Sequence, residues 1–341
     1  MRQFKLKINN RRYIGSKNKL LDKIFELVGE TGIKYNSFAD IFAGTGVVAN
    51  KFINNSDIIL NDNLYHNYVI YNAWFSNDVI DNYEYENYIN KFNEIDCSKL
   101  KSNYFSEIYG NKYFTIKDSI KIGFIRDEIE LLKNKISKRM YYLLITSLLF
   151  YADKIANTVG HFEHFLSSGP IETKAIIKPM NINYFKNNVN IYNEDANELI
   201  KKIKADVVYI DPPYNARQYV NFYHVLENLA LWNKPNEFEG TSMKFKRNHL
   251  KSKYSTVKAP DAFRDLINNC NSKLIVVSYN NTYNASSSAS NNKLTLEEIT
   301  EILEKKGNLK IHEMAHKFFN TGKTNFKEHK ELLFICEVNN E

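Results

Sequence analysis

The 341-residue sequence predicts an α/β fold with a doubly wound, parallel sheet. Three observations carry this. Short β-like runs fall into two clusters that flank a helical middle. Two of these runs, DVVYI (206–210) and KLIVV (273–277), are nearly continuous apolar residues, as suits strands covered on both faces. Helical patterns with short links separate the strands, and alternating β and α elements build this architecture.

Taken in order, the first cluster holds SFADIF (37–42) and DIIL (57–60). The second holds VNIY (189–192), DVVYI (206–210), KLIVVSY (273–279) and ELLFICEV (331–338). Helices are expected over 17–28, 47–53, 221–232, 260–270 and 295–305, the last opened by a capping box of Thr295 and Glu298. Residues 83–185 break the rhythm: they are long, mostly helical and rich in Tyr, Phe, Asn and Lys, and read as an insertion. The expected division is therefore an α/β domain over 1–82 and 186–341 with a helical insert over 83–185. Within the insert, Met140 to Ala152 is a buried helix, too short to span a bilayer. The loop 241–258 carries six Lys/Arg and no acid, and the low-complexity tract 284–292 is expected to be mobile.

The composition, 43% hydrophobic and 25% charged, is that of a globular chain and excludes wholesale disorder. A net charge of +7 permits an anionic partner such as nucleic acid without requiring one. Cys97, Cys270 and Cys336 stand far apart, with neither metal-ligand spacing nor an even disulfide count. No metal is expected. With no apolar stretch after the first residues to act as a leader, a reducing, cytoplasmic setting away from membranes is expected.

Ligands of open α/β sheets bind beyond the carboxyl ends of the strands. FADIFAGTGVV places Asp40, Gly44 and Gly46 at such an end, where glycine lets backbone approach a ligand, although a glycine pair alone fits a tight turn equally well. Asp62 and Asp195 follow the next strands. Either could grip a pair of hydroxyls or cap the following helix. The sharpest signal is Asp211-Pro212-Pro213-Tyr214 at the end of an apolar strand. Two prolines cannot continue a central strand and remove two donors. What is left is a rigid loop of acceptors beside a flat ring, suited to a planar group with an exocyclic amine; an Asx-Pro turn is the structural alternative.

RRYIGSKNKLL (11–21), FADIFAGTG (38–46), LND (60–62), NEDANEL (193–199) and YIDPPYNARQY (209–219) stand in the order of the α-class, Dam-like (D12-type) DNA adenine-N6 methyltransferases, which the chain resembles. YVNFYHVLENLALW (219–232) and LIVVSYNN (274–281) are similar to the branch that accompanies restriction enzymes of the FokI type. The resemblance spans roughly two-thirds of the chain. Ser16, where such proteins often have a second glycine, and the Ser-rich tract depart from the pattern.

The resemblance implies S-adenosylmethionine (SAM) as methyl donor and an adenine flipped out of double-stranded DNA as acceptor, in a restriction–modification setting; whether a cognate restriction endonuclease accompanies the chain is not legible in the sequence. It implies that Tyr13 and Lys17 meet the methionine end of the donor, with Lys17 on its carboxylate. Asp40, Phe42, Gly44 and Gly46 would line the cleft, Asp62 would hold the ribose, and Asp195 the adenine amine. Asp211 and the Pro212 carbonyl, on the loop stiffened by Pro213, would accept from the target N6 amine, with Tyr214 stacked on the base. Residues 83–185 would recognise the target. ADKIANTVGHFEHF (152–165) gives Lys154, Asn157, His161 and His164 as DNA contacts. Lys244, Lys246, Arg247, Lys251 and Lys253 are candidates for phosphates, with Arg217 and His249 nearby. The alternatives are transfer to cytosine N4 and a catalytically idle DNA-binding subunit. The recognition site and the oligomeric state are not legible.

Overall fold

The computed structural model describes residues 5–282, 291–315 and 330–339. The Ser-rich tract, up to residue 290, lies outside the described residues. The chain forms two compact units: an α/β unit of residues 16–63, 186–219 and 250–341, and a helical unit of residues 1–15, 64–185 and 220–249. The sequence-expected insert, 83–185, lies wholly within the helical unit, together with 64–82 and 220–249.

The α/β unit is built on a seven-stranded sheet. Its strands are β1 (Ser37–Asp40), β2 (Asp57–Asn61), β3 (Val189–Tyr192), β4 (Val207–Ile210), β7 (Leu274–Asn280), β8 (Gly307–Ala315) and β9 (Lys330–Val338). Their spatial order is β3-β2-β1-β4-β7-β9-β8, and β9 runs antiparallel to both its neighbours. All four residues of β4 are buried, which explains a run without polar alternation. Helices α1 (Leu21–Glu30), α2 (Val47–Phe52), α8 (Ala196–Ile200), α10 (Ala259–Asn268) and α11 (Leu296–Glu304) complete the unit. Ile210, Val277, Phe263, Leu266, Ile299 and Phe334 form one core between strands and helices. The capping box of α11 is present, with Thr295 accepting from Glu298 N–H and Glu298 accepting from Thr295 N–H.

All six strands expected from sequence are present. Strand β8 was not expected. It lies at the sheet edge, where Asn308, Lys310, Ile311 and Glu313 are exposed, so its sequence lacks the apolar run of a central strand. The antiparallel pairing of β9 has a positional consequence: it sets Glu331 opposite Asn280, at the carboxyl end of β7.

The helical unit holds α3 (Tyr65–Phe75), α4 (Asn82–Asn93), α5 (Tyr104–Tyr109), α6 (Ile116–Leu132), α7 (Lys138–Ile155) and α9 (Tyr219–Leu231), the last beginning one residue before the unit boundary. A short hairpin of β5 (Phe238–Glu239) and β6 (Lys244–Phe245) follows. Asp81, Thr115 and Ser137 cap α4, α6 and α7 through side-chain oxygens. Helix α7 buries sixteen of its residues, as the apolar stretch in it predicts. Two buried arginines pin loose ends: Arg139 donates to the carbonyls of Ala73, Asp78 and Asn183, and Arg126 to those of Leu229 and Ala230. Buried Glu227 accepts the Tyr65 and His66 amides and His66 Nδ1, so it serves the unsatisfied donors that begin α3. No helix among the described residues is long and apolar enough to cross a membrane.

Candidate active site

The carboxyl ends of β1, β2 and β3 are tied together by Asn61. Its side-chain amide donates to the carbonyls of Ile41 and Glu194, and its oxygen accepts the Glu194 amide. Between β1 and α2 the chain turns through Gly44 (φ 52°) and Gly46 (φ 73°), backbone conformations that disfavour any side chain. Asp62 Oδ2 accepts the Gly44 amide at 2.9 Å. The helix-cap alternative for Asp62 does not hold, because Leu64 is the N-cap of α3 and the amides that begin that helix are taken by Glu227. It does hold for Asp195, whose side chain accepts the Asn197 amide at the start of α8. Phe42 packs edge-on against Tyr254, with ring centroids 5.1 Å apart.

Asp40 closes β1 and is 1% exposed. Both its carboxylate oxygens are buried with no hydrogen-bond partner; the amides of Ala49 and Phe42 are near but out of bonding geometry. Burial, then the neighbouring Asp211 and Asp62, raise its pKa well above the ordinary carboxylate range. An orphaned carboxyl in a packed α/β unit is expensive to keep.

Beyond β4, the Asp211 carboxyl group meets two partners. Oδ1 lies 2.6 Å from the Tyr214 hydroxyl and Oδ2 lies 3.0 Å from Lys17 Nζ. Lys17 is also 2.9 Å from Glu331 Oε1 and donates to the Tyr214 hydroxyl at 2.9 Å. These three acceptors match the three N–H bonds of an ammonium. Burial opposes the lysine charge, but Asp211 and Glu331 outweigh it, and the Lys17 pKa rises above its usual value. For Asp211, burial raises the pKa, Lys17 pulls it down and Glu331 pushes it up; the net direction is upward. The Tyr214 hydroxyl also lies 2.8 Å from Glu331 Oε1, so its single proton serves one of two carboxylates at a time. Its ring is tilted against Tyr279 at 4.5 Å, with Lys17 Nζ 5.0 Å from its centroid. Its carbonyl is held by Tyr279 Oη–H and the Lys293 amide. The two prolines thus start a loop fixed at both ends.

The structure therefore gathers Lys17, Asp40, Asp62, Asp211 and Tyr214, with their Gly44–Gly46 turn, at the carboxyl ends of one sheet. Glu331 joins them without having been expected from sequence. It lies some 120 residues after Asp211, and nothing local marks it apart from other acids at the start of a strand. Tyr13 belongs to the helical unit, stacked on Tyr223 with centroids 4.7 Å apart. There Lys154 and His164 are exposed and His161 is half-buried, its ring 5.0 Å from that of Phe222. Asn157 donates its amide hydrogens to the carbonyls of Lys112 and Leu166, closing its own loop. Among the basic candidates, Arg247 is buried and bonded to Asn221, Glu239 and the Phe245 carbonyl. Lys246 pairs with Glu237, and Lys244 is half-buried. Lys251 and Lys253 are exposed, on the α/β unit.

Comparison with known proteins bears directly on this constellation. The chain is 36% identical over 286 residues to modification methylase StsI of Streptococcus sanguinis, covering 79% of this chain and 44% of that protein. It is 32% identical over 351 residues to type II methyltransferase M.FokI of Planomicrobium okeanokoites, covering 96% of this chain and 52% of that one. The chain thus spans about half the length of these two relatives. With M.NlaIII of Neisseria lactamica it is 30% identical over 95% of this chain and 98% of the relative. Residues 13–317 match a single family description, and on that extent the chain belongs to the D12 class N6 adenine-specific DNA methyltransferases.

Proposed function

We propose that the chain transfers a methyl group from S-adenosylmethionine to the N6 amine of an adenine flipped out of double-stranded DNA, as the modification half of a restriction–modification system. The observation that carries this reading is the Asp211-Pro212-Pro213-Tyr214 loop, fixed beside a glycine turn and the orphaned Asp40. Membership of the family supports it. So does the likeness to M.NlaIII along almost the whole of both chains.

S-adenosylmethionine supplies a methyl group on a positively charged sulfur. The residues fit such a group on their own chemistry. Asp40 offers a buried, unpartnered carboxyl to a cationic ligand, and Gly44 and Gly46 leave room where a side chain would intrude. Asp62 offers acceptors suited to a ribose diol, and Asp195 stands at the next strand end for an adenine amine. Lys17 is assigned to the carboxylate of the methionine end. To reach it, that carboxylate must replace Asp211, Glu331 or Tyr214 on the ammonium.

On the acceptor side, the N6 lone pair of adenine is delocalised into the ring, which makes the amine a poor nucleophile. Asp211 and the Pro212 carbonyl accept its two N–H bonds, which favours a pyramidal nitrogen with its lone pair aimed outward. Tyr214 stacks on the extruded base. Positioning and electrostatics therefore supply most of the rate, with no covalent enzyme intermediate. Extruding the base costs a few kcal/mol, offset by stacking and edge contacts. The helical unit, with Lys154, Asn157, His161 and the β5–β6 hairpin, is the candidate for target recognition. Lys251 and Lys253 are the candidates for phosphate contacts. Within the hairpin, Arg247 is better suited to holding the fold than to meeting DNA, since its guanidinium is already bonded.

The test is to incubate the protein with labelled SAM and unmethylated plasmid, then map modified bases by single-molecule sequencing. N6-methyladenine at a recurrent motif is expected, and Asp211→Ala should abolish it while SAM still binds by calorimetry. Methyl groups on cytosine N4, or none despite SAM binding, would overturn the reading.

A further inference from the structure

We propose that Glu331 is a positioning residue of the methyl-transfer site, seating Lys17 and Tyr214 against Asp211 and keeping Asp211 an available acceptor. The proposal rests on the amine-accepting role given to Asp211 above.

Four observations carry it. Glu331 is 3% exposed, and its Oε1 lies within bonding distance of three groups: Lys17 Nζ at 2.9 Å, the Tyr214 hydroxyl at 2.8 Å and Ser278 Oγ–H at 3.2 Å. Two of these three, Lys17 and Tyr214, are the two partners of Asp211. The carboxylate is delivered there by the reversed direction of β9, which turns the start of a strand into a neighbour of the other strands' ends. Finally, two carboxyl groups, Glu331 buried and Asp211 16% exposed, share one ammonium, with Asp40 close by.

This arrangement is costly for stability alone. A buried carboxylate needs its charge matched, and Lys17 could match Asp211 by itself. Its use lies in division of the lysine. With Glu331 holding one N–H of Lys17 and offering the tyrosine proton a second home, neither oxygen of Asp211 is locked by its partner. An incoming amine can then take over an oxygen of Asp211 while Lys17 and Tyr214 stay seated on Glu331. Without Glu331, both partners would collapse onto Asp211 and compete with the amine.

The groups facing Asp211 are Lys17, Glu331 from β9, Asp40 from β1, Tyr209 from β4, and Tyr214 and Tyr219 beyond it. Replacing Glu331 by Gln keeps an acceptor for Ser278, Lys17 and Tyr214 but removes the like charge. The Asp211 pKa should then fall, and because an ionised Asp211 is the better acceptor, the acid limb of kcat should move to lower pH, by about one unit. Glu331→Ala removes the seat itself, and kcat should fall by about a hundredfold while the KM for SAM changes less than tenfold. Ser278→Ala, a milder change that loosens Glu331, should lower kcat in the same direction by less.

The experiment is the pH profile of kcat and KM for wild type, Glu331→Gln, Glu331→Ala and Ser278→Ala on plasmid DNA. An acid limb unmoved in Glu331→Gln, with kcat of the Ala variants within twofold of wild type, overturns the proposal. So does a loss of activity that merely tracks a lowered melting temperature. If Glu331→Ala does not fold, Glu331→Gln and Ser278→Ala still decide. Should wild type transfer no methyl group, the reading of the site fails. The role of Glu331 is then judged separately, from the Asp211 carboxyl midpoint in 13C-aspartate-labelled protein, which Glu331→Gln must lower.

Discussion

Asp62 Oδ2 accepts the Gly44 amide at 2.9 Å, so the acid that follows β2 holds the glycine turn that follows β1. That carboxylate shapes the turn, and in the proposed function it also presents acceptors to the ribose of the methyl donor. Asp62→Asn can keep an oxygen on Gly44 but loses the charge, which strengthens bonds to hydroxyl donors. SAM affinity should fall by about ten- to a hundredfold in calorimetry, the worth of one charge-assisted hydrogen bond. Unchanged affinity would remove Asp62 from the cofactor assignment and leave it the turn alone.

Asp40 gives a test with opposite signs for stability and binding. Its folded pKa lies well above the unfolded value, mainly through burial. Between those two values the folded state holds the extra proton, so stability falls as pH rises through this window. Asp40→Asn removes that loss. The variant should be more stable than wild type by about 1–2 kcal/mol at pH 8. The gain should vanish toward pH 4, where both side chains are neutral. Denaturant titrations at the two pH values measure this. SAM binding should weaken at the same time, and a variant that is both less stable at pH 8 and unimpaired in binding would contradict the role.

His224 sets an acid-sensitive step in the helical unit. Its Nε2 lies 2.9 Å from the Phe162 carbonyl, which places the proton of the neutral ring there. Burial pushes its pKa down to about 3, helped by nearby Lys244, Arg247 and His164 against the Phe162 carbonyl. Between the unfolded value and the folded one, the unfolded state binds the extra proton. Stability should thus fall as pH drops below about 6.5, by up to about 1.4 kcal/mol per unit. His224→Gln, which can still donate toward Phe162, should flatten that slope in melting curves taken from pH 7 to 4. An equal slope in the variant would assign the acid sensitivity elsewhere.

What could be read from sequence follows from where the physics is local. Buried strands announce themselves by runs such as VVYI, glycine at positive φ by its place after a strand, and a helix start by Thr295 and Glu298. Of the candidate site residues, Asp40, Asp62, Asp211 and Tyr214 were legible because they stand within a few positions of these signals, and Lys17 only through the family resemblance. Glu331 was hidden because its place beside Lys17 and Asp211 depends on the antiparallel register of β9, a pairing between distant segments. Edge strand β8 was hidden because an exposed strand keeps the polar residues of a loop. Asn61 stood in plain view beside Asp62, but its side chain reaches carbonyls 20 and 133 residues away, and no spacing rule captures that. The basic run 241–258 read as uniform in sequence. Folding sorts it into residues already bonded and residues turned outward.

That sorting makes the last expectation. Arg247 and Lys246 are bonded to Glu239 and Glu237, whereas Lys251 and Lys253 are exposed and, among the described residues, form no ion pair. Phosphate contacts fix affinity without reading bases. Charge reversal at Lys251 and Lys253 should therefore weaken binding to every duplex alike. The slope of log affinity against log salt should become shallower by about 0.9 for each phosphate that is no longer neutralised. Lys246→Glu, which breaks a surface pair with Glu237, should change the salt slope less. Fluorescence anisotropy with two unrelated duplexes over a salt series measures both. A weakening confined to one duplex would mean that these lysines read bases, and an unchanged slope would mean that they face solvent.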